Sequence, residues 1–328
     1  MSSQLASSHD RITTPIENQW VSLLKRLLRH RIAMVSLAIL LVMFGASLLA
    51  PQIAPFPRDR IAIDAIRLAP MEREPDGQLH LLGTDHLGRD YFTRLLYAAR
   101  VSMLVAILVS VISTLIGIVL GLLAGYFGGW VDIAISRTLE FVSTFPGLTI
   151  LLIVASILLR NENFIVFPRF MDRFVAALFA ISEREAKQVT LIILTLSLLG
   201  WTGTARLMRG LTLSVREQPY IEAARALGVS NITIMLRHIL PNAAPPMIVD
   251  FTLGINGALV GEAGLSFLGF GIQDPTPTWG NTLAFAKDYM LVSPWMPLVA
   301  GFPILIVSLA INYLGDGLRD AIDPRSKV

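Results

Sequence analysis

Three polar side chains interrupt one of the apolar runs of this 328-residue chain: Asp250, Asn256 and Glu262, all within Ala243–Glu262. Ionisable groups at membrane depth are costly, so they mark a polar pathway or a paired interior site. The chemistry two carboxylates could offer there is proton or cation exchange. Asp250 and Glu262 would stand roughly 18 Å apart along a helix and about a third of a turn round it, too far to share a proton. A relay between them would need intermediates, and none is recognisable.

A second group, His80, Asp85, His86 and Asp90, has the donor types of a cation site. These residues sit beside Gly83 and Gly88, where lone His and Asp more often serve turns and caps, so no metal site is expected. Asp90 is placed to cap a helix with an apolar stripe of Tyr91, Phe92, Leu95 and Leu96 and with Arg94 on the opposite side. Other chemistries lack their motifs. The chain has no Cys, no metalloprotease H-E-x-x-H, no recognisable Ser/His arrangement and no G-x-x-x-x-G-K-[ST] phosphate loop. Thiolate metal sites, disulfides and a nucleotide site on this chain are therefore excluded.

The third group is a polar island, Gln218–Asn242, reading QPYIEAARALGVSNITIMLRHILPN between two apolar runs. Pro219 suits a first helical turn, where the missing N–H costs nothing. Tyr220–Leu227 are good helix formers, and Gly228 supplies the left-handed residue that ends a helix. Ser230 or Asn231 caps a second helix, expected to run to Ile239 and to be stopped by Pro241. Two alanines, Ala223 and Ala224, beside Glu222 leave a nearly bare backbone for another protein to approach. The alternative is an amphipathic hairpin with no partner.

The elements that position these residues are membrane spans. Hydrophobic residues make up 54% of the chain and charged ones 16%, against about 25% charged in soluble domains. Mean hydropathy is +0.63 and the pI about 9.4, which suits anionic headgroups; the arginines are dispersed and form no nucleic-acid stripe. Six spans are expected, at Ile32–Ala50, Val101–Gly125, Thr144–Leu159, Val189–Met208, Ala243–Glu262 and Pro297–Leu314, the first long enough to cross about 30 Å of hydrocarbon. Before the first span, Trp20, Leu24, Leu27 and Leu28 share a helical face with Lys25, Arg26, Arg29 and Arg31 around it, the pattern of an interfacial helix. This basic cluster places both termini and the island in the cytoplasm, because charges beside the first helix usually dominate orientation. The polar Ser2–Asn18 start is expected to be loose.

Within the second span Gly117, Gly121 and Gly125 recur on one face, a seam for close helix packing. Tyr126–Val131 is a short turn. Prolines argue against regular structure early in the loop at 51–100. Between the third and fourth spans, Phe170, Phe174, Ala177, Leu178 and Ile181 form the stripe of a second interfacial helix, resting on lipid or touching a delivery protein. The stretch Gly261–Gly280, with Gly264 and Gly269, is too rich in Gly and Pro for a continuous helix. Broken backbone near a membrane must be buried in protein or line a cavity, so this stretch marks the outer mouth of a pathway or a re-entrant packing loop. The organisation expected is a tail and basic helix over 1–31, a first span and outer loop over 32–100, a five-helix core over 101–314 with the loop at 218–242, and a tail over 315–328.

Glu222-Ala223-Ala224, Gly228 and Leu240-Pro241 resemble the EAA loop of permease subunits of bacterial ATP-binding-cassette importers. His238 departs from that signature, standing where an Ile is expected. GTDHLGRD, AGYFGGWVD, GLSFLGFGIQ and GDGLRDAIDP, in that order, are similar to the dipeptide/oligopeptide/nickel branch of the family, and the likeness covers nearly the whole chain. The resemblance implies an all-α, six-helix type I importer permease in a bacterial cytoplasmic membrane. It implies a homologous second permease, two ABC ATPase subunits holding ATP and magnesium, an extracytoplasmic substrate-binding protein and a peptide substrate. Nickel chelates and glutathione are alternative cargoes. Glu222, Ala223, Ala224 and Gly228 would form the coupling region seated in the ATPase. The long loop after the third span departs from the pattern. The competing reading from the residues alone is a proton- or sodium-coupled carrier titrating Asp250 and Glu262, although inverted repeats are not evident.

Overall fold

A computed structural model describes residues 19–160 and 168–322. The expected loose start at Ser2–Asn18, the stretch 161–167 and the last six residues lie outside it. In chain order the helices are α1 (Gln19–Arg29), α2 (Arg31–Leu48), α3 (Ala50–Ile53), α4 (Tyr91–Phe127), α5 (Gly129–Thr144), α6 (Gly147–Arg160), α7 (Arg169–Phe179) and α8 (Glu183–Arg216). They continue with α9 (Pro219–Ala226), α10 (Asn231–Ile234), α11 (Leu240–Phe267), α12 (Trp279–Lys287) and α13 (Trp295–Ile322). Between α3 and α4 lies a small antiparallel hairpin, β1 (Glu72–Arg73) with β2 (Leu79–His80), in which Glu72 faces His80.

Among the described residues five helical stretches are long and apolar enough to cross a membrane: α2, α4, α8, the run Asn231–Phe267 and α13. The sixth is a bent pair. α5 and the apolar part of α6 meet at 86°, so the span expected at Thr144–Leu159 is instead an elbow. Its cause is local: Pro146 lacks an N–H and biases Phe145 to extended backbone, ending α5.

The helix expected after Asp90 and the second span form one element. Asp90 Oδ2 accepts the Thr93 N–H at 2.7 Å, and α4 then continues unbroken for 37 residues. Arg94 corrects the expectation of a solvent-facing side: it is 1% exposed and paired with Asp274 at 2.7 Å. Burial of a guanidinium is tolerable because a carboxylate from a distant loop meets it. The apolar stripe after the third span also divides. Leu178 and Ile181 pack on the core, whereas Phe170 and Phe174 face outward.

Pro241 does not stop the second helix of the island. Met235–Ile239 widen into a π turn between α10 and α11, and Pro241 lies in the first turn of α11. The Leu240 N–H bonds five residues back, to Met235. Asn242 Nδ2 donates to the His238 carbonyl at 2.6 Å, so the disturbed ladder keeps a donor there. The stretch from Gly261 likewise stays helical through Phe267; only from Gly269, with φ +82°, does the chain turn.

Two large apolar clusters hold the bundle, and a third, of Leu139, Trp201 and Ala205, ties α5 to α8. The larger draws Val105, Ile192, Leu259 and Val307 from α4, α8, α11 and α13. The smaller joins Leu122, Met208, Ile221, Ile234 and Met247, tying the island to three long helices. Between α4 and α8 the approach is close. A Cβ on Gly117 would lie 2.6 Å from Thr204 Cβ, and one on Gly125 2.6 Å from Thr212 Cβ. Contact at that range is how helices gain van der Waals attraction where the hydrophobic effect is weak.

Candidate coupling site and pathway face

The island folds as two short helices because its punctuation is unambiguous. Pro219 occupies the start of α9, Gly228 has φ +77°, and Ser230 Oγ accepts the Thr233 N–H at 3.3 Å. Ile221 and Ala224 are buried against the smaller apolar cluster. Ala224 therefore faces the protein, and the bare outward surface is Ala223 and Glu222, both exposed. Nothing lies within 4 Å of a Cβ built on Gly228. Leu240 is half-buried and Pro241 exposed.

The structure adds residues that motif reading passed over. Leu227 is 84% exposed, Ile232 66% and Leu236 54%, on an otherwise polar segment. Exposed large aliphatics on an otherwise polar segment are characteristic of a protein contact. Their signal in the sequence is that they are large aliphatics which the inward face, already filled by Ile221, Ile234 and Ile239, does not use.

The three polar residues of α11 are separated, each with its own partners. Asp250 Oδ2 accepts the Thr204 hydroxyl at 2.6 Å. Asn256 donates to Asn312 Oδ1 at 3.2 Å, while its own Oδ1 is buried without a partner among the described residues. Glu262 is fully buried. Its carboxylate accepts Ser102 Oγ at 3.1 Å and Ser266 Oγ at 2.7 Å, and Ser102 in turn accepts the Trp279 N–H at 3.1 Å. Glu262 thus pins α4, α11 and the start of α12 together.

An open groove of about 400 Å³ runs between α4, α6, α8 and α11, with walls that include Ser110, Ser113, Gly200, Gly254, Gly257 and Gly261. Asp250, Asn256, Glu262, Gly264 and Gly269 are not in its lining. Gly264 lies within α11 and Gly269 in the turn beyond it. Beside these glycines and hydroxyls the wall is aliphatic, with Val109, Leu148, Leu151, Leu196 and Leu199.

On the opposite end of the bundle, the His80–Asp90 group is dispersed through a folded cap. His80 lies between Glu74 at 3.1 Å and Asp90 at 2.8 Å and stacks on Phe56 with ring centroids 4.6 Å apart. Asp85 pairs with Arg89 at 2.7 Å, and Arg89 reaches Asp274 at 3.2 Å. His86 lies 4.8 Å from the Phe285 ring and 5.8 Å from Tyr289. Burial there holds its imidazole below the ordinary range, against the opposing pull of Asp85.

Residues 117–328 match the family described as "Binding-protein-dependent transport system inner membrane component". Residues 18–70 match the "N-terminal TM domain of oligopeptide transport permease C". The oligopeptide transport system permease protein OppC of Mycobacterium tuberculosis is 36% identical over 303 residues, covering 92% of this chain and 94% of that protein. The dipeptide transport system permease protein DppC of Alkalihalophilus pseudofirmus is 34% identical, covering 94% and 90%. The glutathione transport system permease protein GsiD of Shigella flexneri is 34% identical, covering 97% and 93%. A structure of the MetNI methionine ABC transporter aligns with 68% of this chain at 17% identity and a TM-score of 0.45. A polytopic helical chain that aligns with such permeases over more than nine-tenths of its length belongs to the inner-membrane components of binding-protein-dependent transport systems, as a transport subunit and not an enzyme.

Proposed function

We propose that this chain forms half of the translocation pathway of an ATP-driven peptide importer, coupled to its ATPases through the island at 218–242. The observation that carries the coupling role is a rigid seat with an apolar outer face. Ile221, Ala224 and Ile234 fix the island to α4, α8 and α11, while Leu227, Ile232 and Leu236 point away from them. ATP and magnesium reside on two partner ATPases, and a homologous permease supplies the other half of the pathway. An extracytoplasmic binding protein delivers the peptide. Both termini and the island face the cytoplasm. Closing of the ATPases on ATP moves the island and with it α8 and α11, opening the pathway outward; hydrolysis resets it, provided ligand and nucleotide favour different states.

Peptide is preferred as cargo because two of the relatives are named for oligopeptide and dipeptide transport. Glutathione, itself a tripeptide and the cargo named for a third relative, and nickel chelates are the alternatives. The family displaces the ion-coupled carrier, and Asp250 and Glu262 bond to separate hydroxyls, Thr204 for the first and Ser102 and Ser266 for the second. The test is reconstitution in proteoliposomes with all partners. Uptake should require ATP and the binding protein, and an ion gradient alone should drive none. Leu227→Asp should lower recovery of the ATPases with the purified chain; undiminished recovery and uptake would remove the docking role.

A further inference from the structure

We propose that Tyr126 is a positioning residue that transmits movement of the island to α4, so that α4, α8 and α11 shift as one block; this rests on the coupling role proposed above. Tyr126 lies in the last turn of α4 and is 6% exposed. Its hydroxyl donates to Asn231 Oδ1 at 2.8 Å. The Arg225 guanidinium lies over its ring, 5.1 Å from the centroid, a distance at which a cation is attracted to the ring face. Arg225 belongs to α9 and Asn231 opens α10. One side chain is therefore held on both sides of the Gly228 turn.

The island is joined through the chain to α8 and α11 but not to α4, since Tyr126 and Asn231 are 105 residues apart in sequence. The link to α4 is made by side chains. Besides Tyr126 it includes Leu122 in the shared apolar cluster. Arg216, the last residue of α8, donates to the Gly125 carbonyl at 2.8 Å and the Tyr126 carbonyl at 3.4 Å, satisfying acceptors at the end of α4 that have no helical donor. The glycine seam could let α4 follow α8 passively. The Tyr126 clasp instead ties α4 to both arms of the island, and a closely packed block moves as a unit in preference to deforming.

The experiment measures uptake per ATP hydrolysed in the complete reconstituted transporter, with labelled trialanine as probe, or glutathione if trialanine is not moved. Tyr126→Phe keeps the ring, its packing and the Arg225 contact, and removes only the hydroxyl. Loss of one hydrogen bond predicts a fall of about three- to tenfold in uptake per ATP, with subunit recovery unchanged and the thermal midpoint lowered by no more than about 4 °C. Asn231→Ala should reproduce that fall, the double variant should be no worse than either single one, and Asn231→Asp, which keeps an acceptor, should retain coupling. Gly228→Val is measured in parallel. If it uncouples while Tyr126→Phe and Asn231→Ala transport normally, or if their effects simply add, Tyr126 is ordinary packing and the clasp is overturned. If Gly228→Val also transports normally, the coupling role falls and the clasp with it.

Discussion

A methyl group on Gly121 would fall 2.5 Å from the Ala205 carbonyl oxygen and 2.9 Å from the Arg209 amide nitrogen, both backbone atoms of α8. Neither can step aside as a side chain would, so Gly121→Val has to push two long helices apart. Overpacking of this kind costs about 1–3 kcal/mol, and thermal unfolding of the purified chain should show the loss. Gly203 on α8 is the control, because nothing lies within 4 Å of a Cβ built there. Gly203→Ala should be neutral or stabilising by about 0.5–1 kcal/mol, through reduced backbone freedom in the unfolded chain. His86 gives the residue-scale pH dependence. Burial favours its neutral form, so its pKa is lower folded than unfolded. The unfolded chain then binds the proton more readily, and stability must fall as pH drops through the ordinary value near 6.5. Above that value the contribution is fully present, and below the depressed folded pKa it is gone. Arg89 and Arg94 also disfavour the charged ring, while Asp85 and Asp274 favour it. His86→Phe should flatten the acid limb of a thermal-stability profile; an unchanged slope would place the titration elsewhere.

At the scale of elements the island is governed by one left-handed residue. Gly228 has room around it but φ +77°, so a substitution there is strained by backbone conformation and not by contact. Asn tolerates that region and a β-branched side chain does not. Uptake per ATP should therefore rank Gly228, then Asn, then Val, while membrane insertion stays the same for all three. A flat series would mean that the turn geometry is irrelevant to coupling. This turn was readable in the chain because Pro219, Gly228 and Ser230 each act within their own neighbourhood. The first-span helix and the capping of α4 by Asp90 were readable for the same reason. What could not be read depends on distant partners. Arg94 resembles a solvent-facing residue until Asp274, 180 residues away, is brought beside it. Pro241 resembles a stop until the π turn before it and Asn242 behind it take up the displaced bonds. Glu262 is a bare acid in an apolar run until Ser102 and Ser266 are brought to its oxygens.

The molecule as a whole leaves its elbow uncovered. Residues 143–149, from the end of α5 into the start of α6, are all exposed, and Gly147 approaches Leu199, about midway along α8. This break therefore lies at membrane depth. Its last α5 carbonyls and first α6 amides lack helical partners. Hydrocarbon cannot satisfy them, so such backbone persists only where protein or a water-filled cavity meets it. The residues flanking it reinforce the point: Phe141 is 66% exposed and Phe145 45%, beside the exposed ion pair of Arg137 and Glu140 at 2.7 Å. A lone chain in lipid would hold these groups at a loss, so the importer proposed above predicts that its second permease packs at the elbow, with the pathway between the two. The chain has no cysteine, so a single Thr144→Cys substitution reports on this site without background. In the isolated chain in detergent, where water reaches the exposed elbow and the thiol can ionise, a maleimide should label it readily. In the complete transporter labelling should slow by about an order of magnitude or more, with ATP changing the rate as the pathway opens and closes. Equal labelling in both would place the partner permease against another face, and the exposed elbow would then need water alone to satisfy it.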